Sequence, residues 1–375
     1  MKTIKDLDIN NKKVIIRCDY NVPIEDGKIL DDTRIVKSLK TLEYVITRAK
    51  QTIILSHLGR IKEEQDKKDK SLKIVCEYLS KLINKEIGFC DYTNQEEIFN
   101  KYDIVMMENT RFFDLDNKKE SNNDEELSKY FASLGEVFIN DAFGVSHRSN
   151  ASNVGITKYI PSTNGFLIEE EVNNLNKLLY DVEKPYTVIM GGAKVSDKIS
   201  VIKNLINKVD YLLIGGGMAY TFLKSMNKEI GKSICEDESL SFASDLLKEY
   251  KDKIILIEDN YVDNNTIKSI EEMTSEDIGF DIGPKTIEKY KEIIMKSNTI
   301  FFNGPMGLFE KGYEYGTKEL LRILNDSSKT VVIGGGDTVN AVNKYIKENH
   351  FIISTGGGAS LEYLEGKKLP GIIEG

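Results

Sequence analysis

Short apolar runs recur along the whole chain, and most are continuous rather than alternating. In the first half they fall at 14–16, 52–55, 104–107 and 137–139. In the second they fall at 186–190, 211–214, 299–302, 330–333 and 351–354. A run apolar at every position suits a strand covered on both faces, which is the signature of a parallel sheet with helices packed on each side. Helical periodicity fills the gaps, over 35–49 and 72–82 among others. After the run at 186–190, Gly191 and Gly192 stop the strand, and Ile199, Ile202, Ile206 and Val209 follow at helical spacing with Ser196 as the predicted N-cap. A longer helix is predicted from Gly165 onward, with Phe166, Leu167, Val172, Leu175, Leu178 and Leu179 on its apolar face. It ends before Pro185 and has the length and place of a bridge between domains.

A chain of 375 residues exceeds one ordinary core, so two domains are expected. Hydrophobic residues make up 40% and charged residues 30%, the balance of a soluble globular protein. No apolar run approaches the ~18 residues of a membrane span, and a signal-peptide pattern is lacking. Cys18, Cys76, Cys90 and Cys235 are scattered without metal spacing and read as buried thiols in a reducing cytosol. A net charge of −9 argues against general nucleic-acid binding, so any basic cluster is a local device.

The loops after the first-half strands predict such a cluster. They carry Arg17 to Asn21, then Arg34; Ser56 to Arg60; Glu108 to Phe112; and Ser146 to Arg148. Ligands of open α/β sheets bind outside the carboxyl ends of the strands, so Arg34, His57, Arg60, Arg111, His147 and Arg148 are expected on one rim. Planar guanidinium forks suit a small phosphorylated carboxylate. The charged stretches 61–70 and 114–126 read as solvated surface.

Second-half loops exchange arginine for glycine, at 215–217, 303–307, 334–338 and 355–360. Glycine admits a ligand close to the backbone and leaves N–H groups open to phosphates. Lys194 and Lys198 stand at the pivot of the 186–209 unit, where a cation opposes the helix dipole and calls for a neighbouring anion. Asp337 is placed either to hold Mg²⁺ or to cap a helix. No cluster completes G-x-G-x-x-G, since Tyr220 and Val339 occupy the last positions, so a nicotinamide-dependent oxidoreductase is disfavoured. Gly231-Lys232-Ser233 resembles the end of a Walker A loop, but Met226 stands where its first glycine belongs.

Taken together, RCDYNVP, DDTRI, SHLGR, ENTRF, DAFGVSHR, GGAKVSDKI, GGGMAYTF, NGPMGLFE, GGGDT and STGGGASLEYLEGKKLPGI resemble the phosphoglycerate kinase family, in order and over essentially the whole chain. The resemblance implies an α/β fold of two Rossmann-like domains with parallel sheets facing each other across a hinged cleft. It implies a 3-phosphoglycerate domain at 1–164, an interdomain helix at 165–184, a nucleotide domain at 185–355, and a tail from about 356 to 375 that returns to the first domain. The implied activity is reversible phosphoryl transfer between 1,3-bisphosphoglycerate and ADP, in line to or from a carboxylate, without a general base. By motif, Asp19, Tyr20, Asn21, Arg34, His57, Leu58, Gly59, Arg60, Arg111 and Arg148 would bind the phosphoglycerate. Lys198, Gly216, Gly279, Glu310, Gly335, Gly336, Asp337 and Thr338 would bind the nucleotide, with Asp337 on Mg²⁺ carried as Mg-ATP or Mg-ADP. Arg34, Lys194, Gly356, Gly357 and Gly358 would hold the phosphoryl group in flight. The family further implies a cytoplasmic monomer whose partners are small molecules, with neither nucleic acid nor membrane among them. A non-enzymatic binding protein that kept the fold is the rival reading, disfavoured by the presence of Lys194, Arg34 and Asp337 together.

Overall fold

The computed structural model describes every residue except Asp181. The chain divides into two compact units, Met1–Asn173 with Lys368–Gly375, and Asn174–Lys367.

The first unit is built on a six-stranded parallel sheet. Its order runs Gly88–Cys90, Ile104–Met107, Gln51–Leu55, Lys13–Arg17, Val137–Asn140, Ser162–Asn164. The reason for the continuous apolar runs is visible in the two cores. Val14, Ile16, Ile54, Met106 and Ile139 enter one cluster. Ile15, Ile53, Val105 and Phe138 enter the cluster on the opposite face. Both faces are thus covered by helices, as period-2 geometry requires of such runs. The two edge strands, Gly88–Cys90 and Ser162–Asn164, are short and carry no apolar run to announce them.

In the second unit the order is Ile254–Ile255, Tyr211–Ile214, Tyr186–Met190, Thr299–Asn303, Thr330–Gly334, Ile352–Ile353, again all parallel. A small antiparallel sheet is added to it, with Asp259–Val262 between Thr266–Ser269 and Asp281–Ile282. The architecture is α/β with parallel sheets, as the runs predict.

Register decides where the loops emerge. Arg17 pairs with Leu55 on one side and Asn140 on the other, so three central strands of the first sheet end level. In the second sheet Asn303 pairs with both Met190 and Gly334, with the same result.

The helix Phe166–Leu179 crosses from one unit into the other. Its first turn is anchored in the first unit: Thr41 Oγ1 accepts from Phe166 N at 3.0 Å, and Asp141 Oδ1 accepts from Leu167 N at 2.9 Å. Burial pushes the Asp141 carboxyl up to about 7. The last residues return to the first unit: Asn140 Nδ2 donates to Gly371 O at 2.7 Å, and Ile373 N donates to Asn164 Oδ1 at 2.9 Å. Gly356 to Lys367 stays with the second unit, where Asn204 Nδ2 donates to Leu364 O at 2.6 Å.

Two expectations are corrected. Ser196 does not cap the helix after Gly192. That helix is Ile199–Leu205, with Lys198 at the N-cap, because the Ser196 amide and hydroxyl are taken by the Glu236 carboxylate at 2.9 and 2.6 Å. All four cysteines are free thiols, but only Cys18, Cys76 and Cys90 are buried; Cys235 is half-buried.

Candidate active site

In the first unit the level strand ends bring the basic loops together around His57. The ring is buried, and its pKa lies well below the ordinary histidine value, first through burial and then through the charges of Arg17, Arg111, Arg34 and Arg148. One guanidinium therefore touches the imidazole and three more act on it electrostatically. Asp19 pairs with Arg34 and Glu120 offsets Arg17, and the concentration of guanidiniums on an otherwise acidic protein is suited to an anionic ligand.

Each predicted residue can be placed. Arg34 Nη1 bonds Asp19 Oδ2 at 2.9 Å and Asn21 O at 3.3 Å, so the acidic residue holds the guanidinium in position. Asn21 Oδ1 accepts from Gly59 N at 2.8 Å. Gly59 has φ of +62°, and its carbonyl receives Arg111 Nη1. Arg148 is exposed, and its Nε donates to His147 Nε2 at 3.1 Å. Arg60 is exposed too, with its carbonyl on Lys70 Nζ at 2.7 Å. Tyr20 and Leu58 belong to the core instead; the Tyr20 hydroxyl faces Ser38 Oγ at 3.0 Å. Their side chains shape the loop from beneath.

Two further residues of the first unit carry no sequence signal that would single them out. Arg17 is 1% exposed and touches His57 Nδ1 through Nη2 at 3.2 Å. Glu120 is also 1% exposed, although the stretch 114–126 reads as solvated surface. It turns inward because Ser152 and Thr110 donate to its carboxylate and Arg17 supplies the opposite charge. Nothing in a run of charged residues distinguishes the inward one.

The second unit holds a cavity of about 450 Å³. Gly216, Gly217, Gly279, Tyr220, Met306 and Leu308 form much of its wall, while Glu310 and Asp337 also line it. The glycines are needed for close approach. A Cβ on Gly216 would lie 2.7 Å from the Gly192 amide and the Pro305 carbonyl, and one on Gly279 would lie 1.7 Å from the Tyr220 hydroxyl. Both contacts are too short for real atoms: at Gly216, where φ is +62°, the clash is with backbone and excludes a side chain, whereas at Gly279 the buried Tyr220 and Asn260 side chains would have to shift.

Beside the cavity the helix Gly336–Tyr345 begins, with Gly335 at its N-cap and φ of +87°. The opening amides of a helix have no intrahelical acceptor, and they face outward with the positive end of the dipole. Asp337 sits inside the first turn rather than at the cap, so capping is not its role. Thr338 Oγ1 accepts from Gly304 N at 2.8 Å and ties this turn to the neighbouring loop. Lys198 Nζ is held by Asn303 Oδ1, and burial lowers its pKa to about 8 against the attraction of Asp197 and Asp337. Asn303 belongs in sequence to a glycine loop with nothing to mark it; its side chain is buried and fixes the lysine. Lys194 is exposed on the same turn. Gly356, Gly357 and Gly358 precede or open the helix Gly358–Leu364, with Gly357 at φ of +54°.

The family model described as phosphoglycerate kinase matches residues 4–367. A phosphoglycerate kinase of Staphylococcus epidermidis is 48% identical, over 99% of this chain and 98% of that protein. One of Staphylococcus aureus is 46% identical over the same shares. Among solved structures, phosphoglycerate kinase from Coxiella burnetii superposes with a TM-score of 0.86 at 38% identity, covering 99% of this chain and 97% of that one. The enzyme from Pyrococcus horikoshii OT3 gives 0.85 at 29% identity, with the same coverage. With an arginine cluster at one set of strand ends and a glycine-walled cavity at the other, these matches make the chain a member of the phosphoglycerate kinase family, enzymes of glycolytic phosphoryl transfer.

Proposed function

We propose that this chain transfers a phosphoryl group reversibly between 1,3-bisphosphoglycerate and ADP, with the phosphoglycerate on the first unit and the nucleotide on the second. The observation that carries this reading is the division of chemistry between the units. Arg17, Arg34, Arg111 and Arg148 gather round His57 in one, while a glycine-walled cavity, Lys198 and an open helix N-terminus meet in the other. Asp19, Asn21, Arg34, His57, Arg60, Arg111 and Arg148 serve the phosphoglycerate. The cavity takes the base and ribose, with Gly216 and Gly279 against the base and Glu310 at the ribose. Lys198 and the amides of Gly336, Asp337 and Thr338 take the phosphates.

Mg²⁺ fits this site as an ion brought by the nucleotide. Among the described residues no group of three His, Cys, Asp or Glu is disposed to cage a metal. Asp337 is instead an exposed carboxylate on the cavity rim, in the first turn of the helix Gly336–Tyr345. Mg²⁺ is commonly held by one or two carboxylates together with substrate phosphates and water. When bound, the ion neutralises phosphate charge; the protein supplies Asp337 to orient it.

In the direction of ATP consumption, a carboxylate oxygen of 3-phosphoglycerate forms the new O–P bond as the bond from phosphorus to ADP breaks. The nucleophile is already an anion, so no base is required. Catalysis then rests on position and on neutralising the charge of the equatorial oxygens. Arg34, Lys194 and the amides of Gly356 to Gly358 do this work. Direct transfer needs the reacting atoms within about 3–3.5 Å and water excluded, so the two ligands together favour a closed state of a monomeric, cytoplasmic enzyme. A coupled assay following NADH oxidation by glyceraldehyde-phosphate dehydrogenase tests the activity. Oxidation must depend on both ATP and 3-phosphoglycerate, and its absence with folded protein would refute the proposal.

A further inference from the structure

His57 is held by a chain of hydrogen bonds that begins at a carboxylate outside the site. Glu120 Oε1 accepts from Ser152 Oγ and, at 3.2 Å, from Thr110 Oγ1. Glu120 Oε2 accepts from Ser152 N at 3.1 Å. Ser152 Oγ accepts in turn from Arg17 Nε at 2.9 Å. Arg17 Nη1 donates to Cys18 O, and Nη2 lies 3.2 Å from His57 Nδ1. Every link is buried.

The directions of these bonds follow from chemistry. A guanidinium has five donors and no acceptor, so His57 Nδ1 must be the acceptor. The ring is then neutral with its proton on Nε2. Ser152 has one proton; because its oxygen accepts from Arg17, that proton goes to Glu120, whose carboxyl burial pushes up while Arg17 and the Ser152 bonds hold it down. The chain is consistent in only one sense, from carboxylate to imidazole.

We propose that Glu120 is a positioning residue that, through Ser152 and Arg17, holds His57 as a neutral Nε2–H donor for the carboxylate or phosphate of the phosphoglycerate. This rests on the reading of the first unit as the phosphoglycerate site. Glu120 has two roles in it. It compensates the buried charge of Arg17, which would otherwise be drawn out to solvent. It also orients Ser152, which sets the plane of the guanidinium and hence the direction of Nη2. A neutral ring matters because a cation in this crowded cluster would repel the surrounding arginines, while an Nδ1–H tautomer would turn its lone pair toward the anion.

Long-range ¹H–¹⁵N correlation of histidine-labelled enzyme tests the chain, since the protein has three histidines. Wild-type His57 should show a protonated Nε2 and bare Nδ1, unchanged from pH 8 down to pH 5.5. In Ser152→Ala and Glu120→Gln, His57 should show a mixture of tautomers or begin to titrate in that range. KM for 3-phosphoglycerate should rise about tenfold or more, the size expected for loss of a charge-assisted hydrogen bond, with KM for ATP unchanged and kcat reduced less. If Glu120→Gln does not fold, Ser152→Ala, which keeps both charges, decides the matter. An unaltered Nε2–H tautomer in folded Ser152→Ala overturns the proposal. A changed tautomer with an unchanged KM for 3-phosphoglycerate keeps the relay and refutes the placing of His57 in the substrate site.

Discussion

With Lys198 on the nucleotide phosphates, as proposed, Mg-ADP affinity should depend on pH. The Lys198 ammonium lies against Asn303, and burial brings its pKa to about 8. Phosphates arriving beside it favour the charged form, so the pKa rises on binding. Below pH 8 the free lysine already carries its proton, and binding takes up almost none. Above pH 8 the free protein has lost that proton and must regain it to bind. By linkage, Mg-ADP affinity falls with pH through that point: about tenfold between pH 7 and pH 9, with ~0.9 proton taken up per ADP at pH 9. The phosphates of ADP are fully ionised there, their last pKa lying near ~6, so they do not mask the effect. Calorimetric titration of Mg-ADP at pH 7 and 9, in two buffers of different ionisation enthalpy, measures both quantities. Lys198→Met should bind more weakly at pH 7 and show neither the pH slope nor the proton uptake. Equal uptake in wild type and variant at pH 9 would refute the argument.

Four further outcomes are expected. Arg34→Ala and Lys194→Ala should each lower kcat by roughly 10²-fold, with smaller changes in ligand binding, because their charge is needed most at the transferring phosphoryl group; steady-state kinetics with wild-type kcat in either variant would remove that residue from the assignment. Asp337→Asn should weaken Mg-ATP binding in calorimetry while leaving Tm nearly unchanged, since the residue lies past the N-cap and secures no helix end. Asp141 has a folded pKa raised to about 7, so the stability it contributes is complete below its ordinary value of 3.8 and is lost as pH rises through 7. Denaturant unfolding should therefore show Asp141→Asn gaining stability relative to wild type between pH 5 and pH 8, and a constant difference would show that the carboxyl stays ionised. Small-angle scattering should give a smaller radius of gyration with 3-phosphoglycerate and a non-hydrolysable Mg-ATP analogue together than with either alone; an unchanged radius at saturation would count against ligand-driven closure.

Much of this protein is determined by local sequence. The runs at 14–16, 104–107 and 137–139 are apolar at every position and that at 52–55 at all but Thr52, and a strand of that kind is stable only when both its faces are covered. Glycines after the second-half runs mark where the backbone can be approached closely. Those features need only neighbours in the chain to be legible. What only the tertiary structure decided is which polar groups are buried together. Arg17 meets Ser152 across 135 positions and His57 across 40. Lys198 finds Asn303 across 105, and Ser196 is drawn from its expected cap by Glu236, 40 residues on. Glu120, one acidic residue in a charged loop, goes inward because a buried guanidinium waits there. A charge pays for leaving water only where a distant partner is in register to receive it, and that register is set by the level ends of the parallel strands.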